Sequence, residues 1–169
     1  SLRDMTDYGT LGYFAGKIAG QDTPVFTGIP ASPTLEELKA LSASLAASGS
    51  VSMFHAVGVT PEAPTLEEAF GGREPAKVIV FGDAEKQEAE NALNKEPSDH
   101  VDWVLIGCPN ASVQEIREVA EALEGKKVHK DVSLWVTTAV PMYAMAENLG
   151  YIETIKKAGG IVVRETCPF

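Results

Sequence analysis

Two cysteines and a few polar side chains are the residues of this sequence whose types and positions could do chemistry. Cys108 ends an apolar run and stands just ahead of Ser112 and Glu115, which read as a helix start, so backbone N–H groups and the helix dipole favour a thiolate there. Cys167 is followed by Pro168, whose missing N–H and fixed φ hold the chain away from helical geometry. Thiolates so placed can ligate iron–sulfur clusters. A free cysteine is nevertheless most often a small buried hydrophobe, so residue type alone leaves both readings standing. His55, Asn110, Ser112, Thr137 and Thr138 complete the set as candidates for holding a carboxylate or phosphate through hydroxyl, amide or ring donors. Against that, a histidine can be satisfied within a core, and threonine is simply common in strands.

These residues share a place in the expected topology. Apolar runs of strand length alternate with segments of helical period, the pattern of a mostly parallel sheet covered by crossover helices in three α/β/α layers. Strands are expected over 24–28, 51–57, 77–81, 101–107, 132–136 and 161–165, and helices over 8–18, 34–48, 65–70, 83–93, 113–123, 141–149 and 151–158. Thr34 with Glu37, Thr65 with Glu68, and Ser112 with Glu115 have capping-box spacing, and Asp83 reads as a further cap. Gly9, Gly12 and Gly16 weaken the first helix. In an open parallel sheet, ligands collect outside the carboxyl ends of the strands. That rule selects His55 and its loop, Cys108 with Asn110 and Ser112, Thr137, Thr138 and Cys167. Trp103 and Trp135 fit buried strand positions, whereas His100, His129 and Glu62 suit the surface.

Composition narrows the function classes. The 169 residues are 44% hydrophobic, enough to bury a core without disulfides, and no linker or repeat divides them, so one α/β domain over 1–169 is expected. A net charge of −10 argues against nucleic acid or an anionic membrane as partner. The mixed charges of 83–90 read as a solvated helix face. No apolar stretch approaches the roughly 20 residues of a membrane span, and the start lacks a signal-peptide core, so the expected location is cytoplasmic. The cysteines are too far apart in sequence for a short zinc pattern. There is no G-x-G-x-x-G turn and no G-x-x-x-x-G-K motif, which weakens a nucleotide-binding reading. The sequence stops at Cys167-Pro168-Phe169, directly after a site-like position, and reads as a fragment of a larger catalytic subunit.

Gly107-Cys108-Pro109-Asn110-Ala111-Ser112 resembles the cluster-binding GCP-x-A-S segment of aconitase X large subunits, and Glu165-Thr166-Cys167-Pro168 resembles that family's later cysteine motif. The resemblance extends in order through 7–13 (DYGTLGY), 26–28 (FTG), 54–63 (FHAVGVTPEA) and 135–139 (WVTTA), nearly the whole chain. It implies an aconitase-like α/β domain and a hydro-lyase whose iron–sulfur cluster is held by three cysteines, with one iron open to substrate. Cys108 and Cys167 would be two of the ligands. The third cysteine, the amino-terminal part of the large subunit and the small swivelling subunit would lie outside these residues. So would the general base, and the fragment alone is expected to be inactive.

The reaction the resemblance points to first is dehydration of mevalonate 5-phosphate to trans-anhydromevalonate 5-phosphate in isoprenoid biosynthesis. The alternatives are dehydration of cis-3-hydroxy-L-proline and, from a different class, a cofactor-free module serving subunit assembly. A small phosphorylated or carboxylate substrate is expected in either enzyme reading. Hydroxide leaves poorly, so such chemistry needs a Lewis acid on the C–OH oxygen and a base on the adjacent carbon.

Overall fold

The computed structural model describes residues 2–95 and 98–165, so Cys167 and its neighbours lie outside the described residues. The chain is α/β with parallel sheets. Where the sequence suggests one domain, the structure forms two compact units, Ser1–Lys95 and Glu96–Phe169. The division falls at the start of the polar stretch 95–100.

The first unit is built on two long helices, α1 (Met5–Ala19) and α2 (Leu35–Gly49). Asp4 caps α1 by accepting from the Asp7 N–H, and Thr34 with Glu37 forms the expected reciprocal capping box of α2. The glycines that weaken α1 as a helix are its contact surface with α2. A Cβ on Gly12 would lie 2.4 Å from the Leu41 carbonyl oxygen, and one on Gly16 would lie 2.1 Å from Ser48 Oγ. The backbones therefore approach closely, and Tyr8, Leu11, Leu41, Leu45 and Val51 close the core beside them.

Strands β1 (Val25–Phe26) and β2 (His55–Ala56) pair in parallel, Val25 with His55 and Phe26 with Ala56. The strand expected over 51–57 is thus two residues long. α3 (Leu66–Phe70) is capped by Thr65 as expected, and α4 (Asp83–Leu93) follows. Asp83 is the first helical residue of α4 and Gly82 is its cap, with the Glu85 carboxylate accepting from the Gly82 N–H at 2.9 Å.

The strand expected over 77–81 does not form. Val78 and Val80 are each 79% exposed, and only Phe81 reaches the core, its ring 5.3 Å from that of Phe14. An apolar β-branched run supplies the composition of a buried strand but not the neighbour that its backbone groups need.

The second unit holds a three-stranded parallel sheet in the order β3 (Trp103–Ala111), β4 (Ser133–Thr138), β5 (Ile161–Arg164). Helix α5 (Val113–Leu123) connects β3 to β4, and α6 (Val140–Asn148) with α7 (Tyr151–Ala158) connects β4 to β5. The helices pack on one another and on the sheet around Ile116, Ala120, Val136, Tyr143, Ala146, Ile152 and Ile155. β3 is an edge strand, so Trp103 is exposed rather than buried as expected, and it meets the half-buried Trp135 edge-on at 6.4 Å.

Candidate functional site

The carboxyl ends of β3 and β4 carry most of the described candidate residues. β3 and β4 run in register from Trp103 opposite Ser133 to Ile106 opposite Val136, and then meet again only where Ala111 faces Thr138. β3 advances five residues across that interval while β4 advances two, so residues 107–110 leave the ladder as a bulge. Cys108 is not at the end of a strand, as expected, but exposed at the tip of this bulge, with Pro109 and Asn110 beside it. The Cys108–Pro109 peptide is cis.

The neck of the bulge is tied to β4. Thr137 Oγ1 donates to the Gly107 carbonyl at 2.5 Å, and Thr138 Oγ1 donates to the Ala111 carbonyl at 2.7 Å. Both threonines are fully buried. Neither hydroxyl faces the outside, and each donates its proton to the backbone of the bulge. Sequence reasoning passes over Gly107. Its φ is +103°, a conformation that suits glycine, and a Cβ there would lie 2.1 Å from the Thr137 carbonyl oxygen and 3.0 Å from the Ala111 nitrogen. A glycine directly before a candidate ligand is the signal that marks it.

Ser112 follows the bulge and caps α5. Its Oγ accepts from the Glu115 N–H at 3.2 Å, while the buried Glu115 carboxylate accepts from the Ser112 N–H at 2.7 Å. The serine proton is not used in that box. β5 leaves the sheet at the same end, where the Glu165 N–H donates to the Thr138 carbonyl at 3.0 Å. Glu165 is two residues before Cys167 in the sequence, and Cys167 itself lies outside the described residues.

His55 belongs to the first unit, as the first residue of β2. The loop after it folds on itself: Thr60 Oγ1 receives the Ala56 N–H at 3.1 Å, and the Gly58 N–H reaches the Ala63 carbonyl at 2.8 Å. His55 Nδ1 is buried and has no hydrogen-bond partner among the described residues. A buried polar atom of that kind calls for a ligand, a water or a partner group. Glu62 in the same loop is exposed, as expected.

Residues 2–91 match the aconitase X second domain and residues 101–169 match the aconitase X third domain. This chain belongs to the aconitase X family. It is 38% identical over 95% of its length to the phosphomevalonate dehydratase large subunit of Methanocaldococcus jannaschii, and 40% identical over 96% to that of Methanothermobacter thermautotrophicus. The cis-3-hydroxy-L-proline dehydratase of Hypocrea jecorina is 39% identical over 97%. A crystal structure of Thermococcus kodakaraensis aconitase X in its holo-form superposes with a TM-score of 0.84 at 33% identity, covering 99% of this chain and 42% of that one. The chain spans 38%, 39% and 28% of the three curated relatives in the order given. The family boundary between 91 and 101 coincides with the division between the two units.

Family membership raises the question of whether these residues suit an iron–sulfur cluster. Among the described residues no three His, Cys, Asp or Glu side chains converge as a metal cage. The donor present is nevertheless of the right kind: a free thiol, exposed on a backbone held at both ends of its loop. Among the described residues Cys108 is a single thiol and not a complete cage. Among the described residues no helix is long and apolar enough to cross a membrane.

Proposed function

We propose that this chain is part of the large subunit of an iron–sulfur hydro-lyase that dehydrates mevalonate 5-phosphate. The observation that carries this reading is the 38–40% identity, over 95–96% of the chain, to two phosphomevalonate dehydratase large subunits. Cys108 and Cys167 are the cluster ligands in this reading, and a third cysteine comes from outside these residues. When bound, the cluster supplies an open iron as the Lewis acid that draws away the leaving hydroxyl.

The chain's own residues do the positioning. The bulge presents Cys108, Asn110 offers an amide at its tip, and the unused Ser112 proton can be donated to a carboxylate or phosphate at the start of α5, where the helix dipole favours an anion. His55, with its unpartnered Nδ1, is a further substrate-binding residue. The general base belongs to another part of the enzyme. Because the relatives are named as large subunits, a small subunit is the expected partner, and a cytoplasmic location is part of the same reading.

Dehydration of cis-3-hydroxy-L-proline is the second reading, favoured by the 39% identity to an enzyme so named. One experiment addresses both. The complete large subunit, co-expressed with its small subunit and reconstituted anaerobically with iron and sulfide, is assayed on both substrates as wild type, Cys108→Ala and Cys167→Ala. Loss of iron and activity in both variants supports the ligand assignment, and the substrate turned over by wild type decides between the readings. Full iron content in either variant removes that cysteine from the site.

A further inference from the structure

The tie between β4 and the Cys108 loop carries an inference beyond the cluster assignment, although it rests on Cys108 being a ligand. We propose that Thr137 and Thr138 are positioning residues that hold Cys108 at the orientation a cluster requires, acting through the carbonyls of Gly107 and Ala111 rather than touching substrate.

A bulge of this size breaks the ladder at both of its ends and leaves carbonyl groups without strand partners. Here the two carbonyls that flank the excursion, Gly107 and Ala111, each receive a hydroxyl proton from adjacent residues of β4, at 2.5 and 2.7 Å. Valine would satisfy the strand at either threonine position equally well, so strand propensity does not account for two hydroxyls here. Burial adds to the case. With both threonines at 0% exposure, the hydroxyls are shielded from water, and a carbonyl that lost its donor would have no easy substitute.

The neck is also closed sterically. Gly107 presses on Thr137 and on the Ala111 nitrogen so closely that no side chain fits. Only residues 108–110 project from it, and they are exposed. The result is a short, clamped loop whose single thiol has little freedom to swing. A ligand that must be held near its bonding geometry gains from such support, since a loosely held one loses metal.

The test uses the complete large subunit with its small subunit. Thr137→Val removes the hydroxyl at nearly constant shape, and Thr137→Ser restores it. Two quantities are read: the half-life of bound iron under a chelator, and, in the apo protein, the alkylation rate of Cys108 by iodoacetamide, resolved from other thiols by peptide mass spectrometry. Thr137→Val is expected to shorten the iron half-life and raise the alkylation rate by about tenfold, the effect of one lost hydrogen bond, with Thr137→Ser close to wild type.

A wild-type alkylation rate of Cys108 in Thr137→Val overturns the proposal. If the valine variant does not fold, Thr137→Ala against Thr137→Ser makes the same comparison, and equal alkylation rates there overturn it too. The two readings fail separately. Iron retained by Cys108→Ala removes the ligand assignment, while unchanged alkylation of Cys108 in Thr137→Val removes the positioning role.

Discussion

Lys86 of α4 donates a hydrogen bond to the carboxylate of Asp7, which lies near the start of α1 with its side chain only 4% exposed. Arg3 adds a second contact through its Nε at 3.2 Å and its backbone N–H at 2.9 Å. Burial pushes the Asp7 carboxyl up, and the hydrogen bonds from Lys86 and Arg3 outweigh it, holding the group below its ordinary range. The folded value is depressed, so the stabilisation is present above the unfolded carboxyl's value of about 3.9 and is lost as pH falls through the folded value. Acid titration of the melting temperature should therefore show a component below about pH 4 that Asp7→Asn lacks. Lys86→Met, which leaves the buried carboxylate with Arg3 alone, should cost about 3 kcal/mol at pH 7 and shrink that acid-side slope. An unchanged slope in both variants would mean that the pair does not govern acid stability.

The contact between α1 and α2 makes a second prediction, of unusual sign. Glycine to alanine in a helix interior ordinarily stabilises by about 1 kcal/mol. At Gly12 and Gly16 the added methyl would meet the Leu41 carbonyl and the Ser48 hydroxyl at 2.4 and 2.1 Å, well inside contact distance. Gly12→Ala and Gly16→Ala should each destabilise by about 1–3 kcal/mol in urea titration, the cost of overpacking. Gly9→Ala, with Ser44 Oγ at 3.6 Å, should be neutral or mildly stabilising. Equal effects at all three positions would disprove the close packing.

What could be read from the sequence follows from how local each signal is. The capping boxes of α2 and α5 satisfy backbone groups three residues away, so Thr34–Glu37 and Ser112–Glu115 placed both helix starts correctly. The expected spans 113–123 and 151–158 coincide with α5 and α7. Long-range partners were not readable. The glycines of α1 looked like weak helix because Leu41 and Ser48, which they touch, lie far along the chain. The tie from Thr137 and Thr138 to Gly107 and Ala111 is not legible because the partners are 30 and 27 residues away. The cysteine motif falls in the segment 107–110, but the bulge that shapes it appears only once β3 and β4 are paired.

The unpaired segment 77–81 allows a direct contrast between composition and environment. Val78 and Val80 have the sequence signature of a buried strand but stand 79% exposed, whereas Ile155 is fully buried in the second unit. Val78→Thr and Val80→Thr should each change the unfolding free energy of this chain by no more than about 0.5 kcal/mol. Ile155→Ala should cost about 2–5 kcal/mol. A loss of more than about 1 kcal/mol at Val80 would show that the segment is covered in solution.

Ser112 tests whether one side chain does two things. As the cap of α5, its oxygen accepts the Glu115 N–H, and replacing it by alanine should cost about 1 kcal/mol of stability, as Thr34→Ala should at α2. Ser112→Gly keeps most of the capping, losing only about a few tenths of a kcal/mol, yet it removes the hydroxyl proton. If that proton reaches a substrate carboxylate or phosphate, Ser112→Gly should raise KM about tenfold in the complete enzyme, because a hydrogen bond to a charged group is worth about 1.5–3 kcal/mol. Ser112→Thr should restore both functions, and Thr34→Gly should leave KM alone. A KM unchanged in Ser112→Gly, with stability lost only in Ser112→Ala, would confine Ser112 to the helix start.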